Sequence, residues 1–143
     1  MSHVGENFIT TMLKLHASKQ KIKVINDQFG SLTTTYSLTK ACFKIINKFS
    51  NQDLNLPLKL HWCNTGIANW AQIAKRIGDI GFSKGLLKNK AEIIPIKTRD
   101  FKQNAKRPLY SVLDCLESQK IIEYVPSNWD VALNEIIEKF KSH

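Results

Sequence analysis

The chain has 143 residues, 43% of them hydrophobic, and 21 Lys and Arg against 12 Asp and Glu give a formal net charge of +9. That length suits one domain with a real core, and an apolar fraction unbroken by polar low-complexity runs predicts a folded globular chain. No apolar run approaches the ~18 residues of a membrane span, and no signal-peptide core stands at the N-terminus.

The positive excess favours an anionic partner: a nucleotide, a nucleic acid or an acidic protein surface. Cys42, Cys63 and Cys115 contain no Cys-x-x-Cys pair, and His3, His16, His61 and His143 are scattered. Zinc therefore has little support, and reduced thiols in a cytoplasmic protein fit best.

Apolar spacing at Phe8, Ile9, Met12, Leu13 and Leu15 predicts a helix that opens at Glu6 or Asn7 and stops near Ser18. A short strand follows at 22–25. Asn26-Asp27 breaks it, Gly30 turns the chain, and hydroxyl residues lead to a second helix from Leu38 to Phe49. Ser37 caps that helix, with Leu38, Ala41, Cys42, Ile45, Ile46 and Phe49 inward. Residues 50–57 read as a polar linker. Leu58 to Trp62 alternates like a strand, Asn64-Thr65-Gly66 is a turn, and Asn69 caps a third helix from Trp70 to near Ile80. The stretch 81–89 is expected to be partly helical. Ile93 to Ile96 is a short strand whose Pro95 suggests an edge or a strand end, and 97–108 is basic and irregular. A short helix runs through Ile121, and a last one spans Trp129 to Phe140 with Ala132, Leu133, Ile136 and Ile137 inward. Helices interleaved with short strands define an α/β or α+β fold.

The loop from Asn26 to Thr33, between a buried strand and a helix start, is where an α/β protein places a ligand. Amides at Asn26 and Gln28, a carboxylate at Asp27 and backbone N–H groups around Gly30 suit a phosphorylated or sugar-bearing ligand. An ordinary strand–turn–helix connection is the alternative. Tyr36-x-x-x-Lys40 has the spacing by which an ammonium lowers a phenol's pKa for proton relay in short-chain dehydrogenases. The glycines at 5, 30, 66, 78, 81 and 85 form no Gly-x-Gly-x-x-Gly loop for a nicotinamide cofactor, so chance explains that match better. Residues 70–90 resemble a helix-turn-helix corner with Lys84, Lys88 and Lys90 toward phosphates; against it, Lys84 falls where a branched apolar residue is usual and Gly85 weakens the second helix. Arg107, held extended before Pro108, suits bidentate phosphate binding, with a solvated basic loop as the alternative. Trp70 and Trp129 read as core anchors, and His61 as structural.

Several motifs recur in a known order. They are Asn7-Phe8-x-x-Thr11-Met12-Leu13, Val24-Ile25-Asn26-Asp27-Gln28-Phe29-Gly30-Ser31-x-Thr33, His61-Trp62, and Gly66-x-x-x-Trp70 with Ala74. Ala105-Lys106-Arg107-Pro108-x-x-Ser111-Val112-Leu113-Asp114-Cys115 and Trp129-x-x-Ala132-Leu133 complete the series. In order and spacing the chain resembles the C-terminal half of the dTDP-4-dehydrorhamnose reductase family, extended short-chain dehydrogenases, in its cyanobacterial-type form.

The resemblance implies an α/β fold in which 1–143 is a single substrate-binding domain without the NADPH-binding Rossmann half. In the family that absent half also carries the catalytic Tyr-x-x-x-Lys. The implied reaction is reduction of the 4-keto group of dTDP-4-dehydro-L-rhamnose to dTDP-L-rhamnose, with NADPH and, in some members, Mg2+. No cofactor is expected for this chain alone, which would be a truncated or split part, inactive without a separate N-terminal half. By the same resemblance Asn7, Asp27, Gln28, Gly30, Thr33 and Arg107 border the dTDP-sugar, with Arg107 on the diphosphate, and no residue is catalytic. The helix from Phe8 should expose apolar surface left by the missing half and promote self-association. A non-catalytic basic module, binding DNA through the 70–90 corner, is the alternative; nucleic acid and membrane are otherwise disfavoured as partners.

Overall fold

The computed structural model describes residues 1–50, 57–102 and 105–141. Its elements are α1 (Phe8–Ser18), β1 (Lys21–Ile25), β2 (Phe29–Gly30), α2 (Thr35–Ser50), β3 (Ala68–Asn69), α3 (Trp70–Ser83), β4 (Glu92–Ile96), α4 (Leu116–Ile122) and α5 (Trp129–Glu138). Single 3-10 turns occupy Thr98–Asp100 and Lys139–Lys141.

α3 is the centre of the core, and α1, α5, β1 and β4 all pack against it. It buries Ala71, Ile73, Ala74, Ile77, Gly78, Ile80 and Gly81. The small residues among these let neighbours come close. His16 of α1 lies over Gly78, where a Cβ would stand 2.5 Å from the imidazole Cε1. The His16 Nδ1 accepts from the Ala91 N–H at 3.1 Å, which leaves Nε2 to donate to the Ala74 carbonyl at 3.0 Å. Both ring nitrogens are satisfied, so this buried histidine is structural. Asn69 opens α3 with a reciprocal cap: its Oδ1 accepts from the Gln72 N–H at 2.9 Å, and Gln72 Oε1 accepts from the Asn69 N–H at 2.9 Å.

β1 and β4 form a parallel pair in register from Lys21–Glu92 to Ile25–Ile96, with Pro95 opposite Val24. Each strand of a two-stranded sheet has a free edge, which tolerates a proline. α5 buries Ala132, Leu133, Ile136 and Ile137, the inward set that its spacing predicts. No helix of the described residues is long and apolar enough to cross a membrane.

Four local expectations are corrected. α2 starts earlier than Ser37, because Thr34 Oγ1 accepts from the Ser37 N–H at 3.1 Å and does the capping, while the Ser37 hydroxyl is buried and accepts from Trp62 Nε1 at 3.0 Å. Only Ser37 and Ala41 of α2 are buried, and Leu38, Ile46 and Phe49 are 46%, 57% and 64% exposed. Leu38, Ile46 and Phe49 of the stripe that spacing places inward are thus uncovered among the described residues, whereas the large apolar residues of α1 are buried or partly so. Leu58 to Trp62 is not a strand. Among the described residues no strand pairs with it, and Trp62 is stacked on Tyr124 with ring centroids 5.4 Å apart. Residues 84–90 form turns after Gly85, at φ 73°, and the second helix that a helix-turn-helix needs is not formed. Most of the predicted linker, 51–56, lies outside the described residues.

Candidate functional site

β2 is held between two backbone segments. On one side it pairs antiparallel with β3, Phe29 opposite Asn69 and Gly30 opposite Ala68. On the other, the Phe29 N–H donates to the Leu109 carbonyl at 2.8 Å and the Ser111 N–H donates to the Phe29 carbonyl at 2.9 Å. Segments distant in sequence thereby form a cleft of about 390 Å³, lined by Gln28, Gly30, Thr33, Trp70, Arg107 and Ser111 among others. That volume suits a small-molecule site. Gly30 is extended here, and the bend falls at Asp27. The case for glycine at position 30 is proximity: a Cβ would lie 3.1 Å from Ser111 Oγ. A second cleft of about 440 Å³, mostly apolar, runs alongside between Phe8, Met12, Val24 and Phe101, and shares Gln28, Trp70 and Arg107 with the first.

Of the six residues expected to border the ligand, Gln28, Gly30, Thr33 and Arg107 meet in the first cleft. Asn7 does not reach it. Its Oδ1 accepts from the Ile9 and Thr10 N–H groups, and its Nδ2 donates to the Ser2 carbonyl, which caps α1. Asp27 is one step back from the wall. Its Oδ1 accepts from the Thr98 hydroxyl at 2.7 Å and from the Thr98 N–H at 2.9 Å, and the Thr98 Oγ1 accepts in turn from Gln28 Nε2 at 3.1 Å. The Thr98 hydroxyl is the main cause that holds the Asp27 carboxyl below the usual carboxylate range. Asp27 therefore orients the buried Gln28 through Thr98. Asn26 faces away, and its Oδ1 is buried with no hydrogen-bond partner among the described residues.

Arg107 is the only cation of the 97–107 run that lines either cleft, and it makes no ion pair among the described residues. Other basic groups are engaged elsewhere: Lys84 with Glu138, Lys90 and Lys75 with Asp79, and Arg76 with Asp130. The Tyr36-x-x-x-Lys40 pair stands apart from the cleft. Lys40 Nζ lies 4.5 Å from the Tyr124 ring centroid, and Tyr36 borders a separate hollow with Ala132 and Lys139. Among the described residues no group of three or more His, Cys, Asp or Glu is arranged to hold a metal ion. Gly78 and Gly81 are spent on helix packing, against His16 and Leu87 respectively.

The first cleft also contains residues that sequence reasoning did not assign to it. Ser111 donates through both its N–H and its hydroxyl to the Phe29 carbonyl. Its signal was its place four residues after Arg107 in a family motif. Trp70 is half-buried, tilted against Phe8 with centroids 4.8 Å apart, and forms part of both cleft walls as well as the core edge.

Residues 1–142 match the family described as RmlD substrate binding domain, and the chain belongs to that family. It is 35% identical to the spore coat polysaccharide biosynthesis protein SpsK of Bacillus subtilis, over 98% of this chain and 44% of that protein. It is 29% identical to a dTDP-4-dehydrorhamnose reductase of Aggregatibacter actinomycetemcomitans, over 92% of this chain and 45% of the relative. Among solved structures, a Clostridium acetobutylicum dTDP-4-dehydrorhamnose reductase superposes with a TM-score of 0.81 at 28% identity, over 96% of this chain and 45% of that one. The Bacillus anthracis reductase, solved in complex with NADP, superposes with a TM-score of 0.74 at 28% identity, over 95% and 44%. The chain thus spans less than half the length of the relatives it matches. Its α/β fold is that of the substrate-binding part of extended short-chain reductases.

Proposed function

We propose that this chain is the substrate side of a dTDP-4-dehydrorhamnose reductase-like protein and holds a dTDP-sugar in the cleft around β2. The carrying observation is the convergence of Gln28, Gly30, Thr33 and Arg107 on one cleft with a guanidinium at its wall. Arg107 donates paired hydrogen bonds to the diphosphate. The Gln28 amide, oriented by Asp27 and Thr98, and the hydroxyls of Thr33 and Ser111 serve the polar groups of the sugar nucleotide. Trp70 supplies an apolar wall.

Reduction of the 4-keto group needs NADPH, and the NADP in the Bacillus anthracis structure supports that choice of reductant for the family. An N-terminal half such as the relatives have would hold it, with residues 1–143 supplying the substrate side. The bare apolar face of α2 offers that half a surface to cover. No metal role is assigned to residues of this chain. The product would feed rhamnose into cell-surface polysaccharide, in keeping with the spore-coat relative, and the cytoplasm is the compartment that fits.

Calorimetric titration of the purified chain with dTDP and dTDP-L-rhamnose tests the reading. Binding is expected, and Arg107→Gln should weaken it by about 10–100-fold, the worth of a charge-assisted hydrogen bond. Absence of dTDP binding, or an unchanged Kd in Arg107→Gln, overturns the site. Adding NADPH, dTDP-4-dehydro-L-rhamnose and the N-terminal half of a relative should produce turnover only with both halves present. Turnover by the chain alone would contradict the split.

A further inference from the structure

We infer that Cys63 and Cys115 form a site of oxidative modification, closing a disulfide that staples together the two segments holding β2 and the start of α2. Their sulfurs lie 3.4 Å apart although 52 positions separate them. Both are buried, whereas the third thiol, Cys42, is exposed. A disulfide of about 2.05 Å needs just over an ångström of further approach. A hollow of about 190 Å³ lined by both cysteines opens beside the sulfurs, room enough for a small peroxide.

The two attachment points matter. Cys63 precedes Asn64, whose Oδ1 accepts from the Thr34 N–H at 3.0 Å and whose Nδ2 donates to the Ser127 carbonyl at 3.0 Å. Cys115 follows Ser111, which is bonded to Phe29. The cross-link would therefore tie the segment that holds Thr34 to the segment that holds β2. Burial pushes the Cys115 thiol up to about 11, so thiolate is scarce near neutrality and the reaction quickens in alkali.

The oxidant is a peroxide. One thiol gives up its proton, and its sulfur attacks a peroxide oxygen. The O–O bond breaks, leaving a sulfenic acid and a hydroxide that takes the proton to become water. The second sulfur then attacks the sulfenic sulfur, the S–O bond breaks, and the second thiol's proton leaves in another water. Two thiols and one peroxide become one disulfide and two waters, and a dithiol reverses the product. This inference is independent of the sugar-nucleotide reading.

The test uses the full chain, with Cys42→Ser removing the exposed thiol. After hydrogen peroxide under native conditions its mass should fall by about 2 Da, and no thiol should take up iodoacetamide after unfolding. Its melting midpoint should rise by roughly 5–15 °C, reversed by dithiothreitol. Adding Cys63→Ser or Cys115→Ser should abolish both the mass loss and the rise. In the wild-type chain, peptide mapping without reduction should join Cys63 to Cys115 and leave Cys42 alkylatable. Alkylatable Cys63 and Cys115 after treatment, a bond through Cys42, or a melting midpoint that does not rise overturns the staple.

Discussion

Replacing Gly78 by alanine probes the contact that seats α1 on α3. The new methyl would stand 2.5 Å from His16 Cε1 and 2.7 Å from Nε2. The ring is pinned between the Ala91 N–H and the Ala74 carbonyl, so it recedes only by giving up hydrogen bonds. Helix propensity works the other way and favours alanine by about 1 kcal/mol. Overpacking costs about 1–3 kcal/mol, and each buried polar group left unpaired costs about 1–3 kcal/mol more. With one buried group left unpaired, the net loss is about 1–5 kcal/mol. In urea, at a slope of about 2 kcal/mol per molar, the midpoint should fall by roughly 0.5–2.5 M. Tryptophan fluorescence reports the transition, and α3 carries Trp70 and Ile73 to the cleft, so loss of this seat also disturbs the site. The His16→Ala/Gly78→Ala pair should lose less than the sum of its singles, because the methyl then enters space the ring has left. A Gly78→Ala chain with an unchanged or raised midpoint would show that the imidazole does not hold the helices together in this way.

Two further outcomes are expected. The Asp27 carboxyl is held below its ordinary range by Thr98, so its contribution to stability is complete above about pH 4 and disappears as pH falls through the lowered folded value. Thr98→Val should therefore flatten the acid side of a plot of urea midpoint against pH, and an unchanged slope would place the acid sensitivity on other groups. The bare α2 face should make the isolated chain self-associate as its concentration rises in sedimentation velocity, and Ile46→Lys with Phe49→Lys should return it to monomer. A wild-type chain that stays monomeric at every concentration would show that this face needs no cover.

The sequence by itself determined what depends on neighbours a turn away. Asn7 and Asn69 cap their helices because an amide side chain reaches backbone N–H groups two or three residues on. The inward set of α5 follows from helical spacing alone. The family was legible through the resemblance of its motifs, and the family match over residues 1–142 agrees with it. Tertiary structure decided whatever needed a partner distant in the chain. Leu58 to Trp62 has the alternation of a strand but pairs with no strand among the described residues. α2 has an apolar stripe, yet periodicity marks only a face and cannot say whether anything covers it. Asn7, expected at the ligand by the resemblance, and Asp27, expected there by its chemistry as well, hydrogen-bond to the start of α1 and to Thr98 respectively, and those partners are set by the fold. Gln28, Arg107 and Ser111 came together because β2 both donates hydrogen bonds to and accepts them from a segment some eighty residues later, which no local pattern encodes.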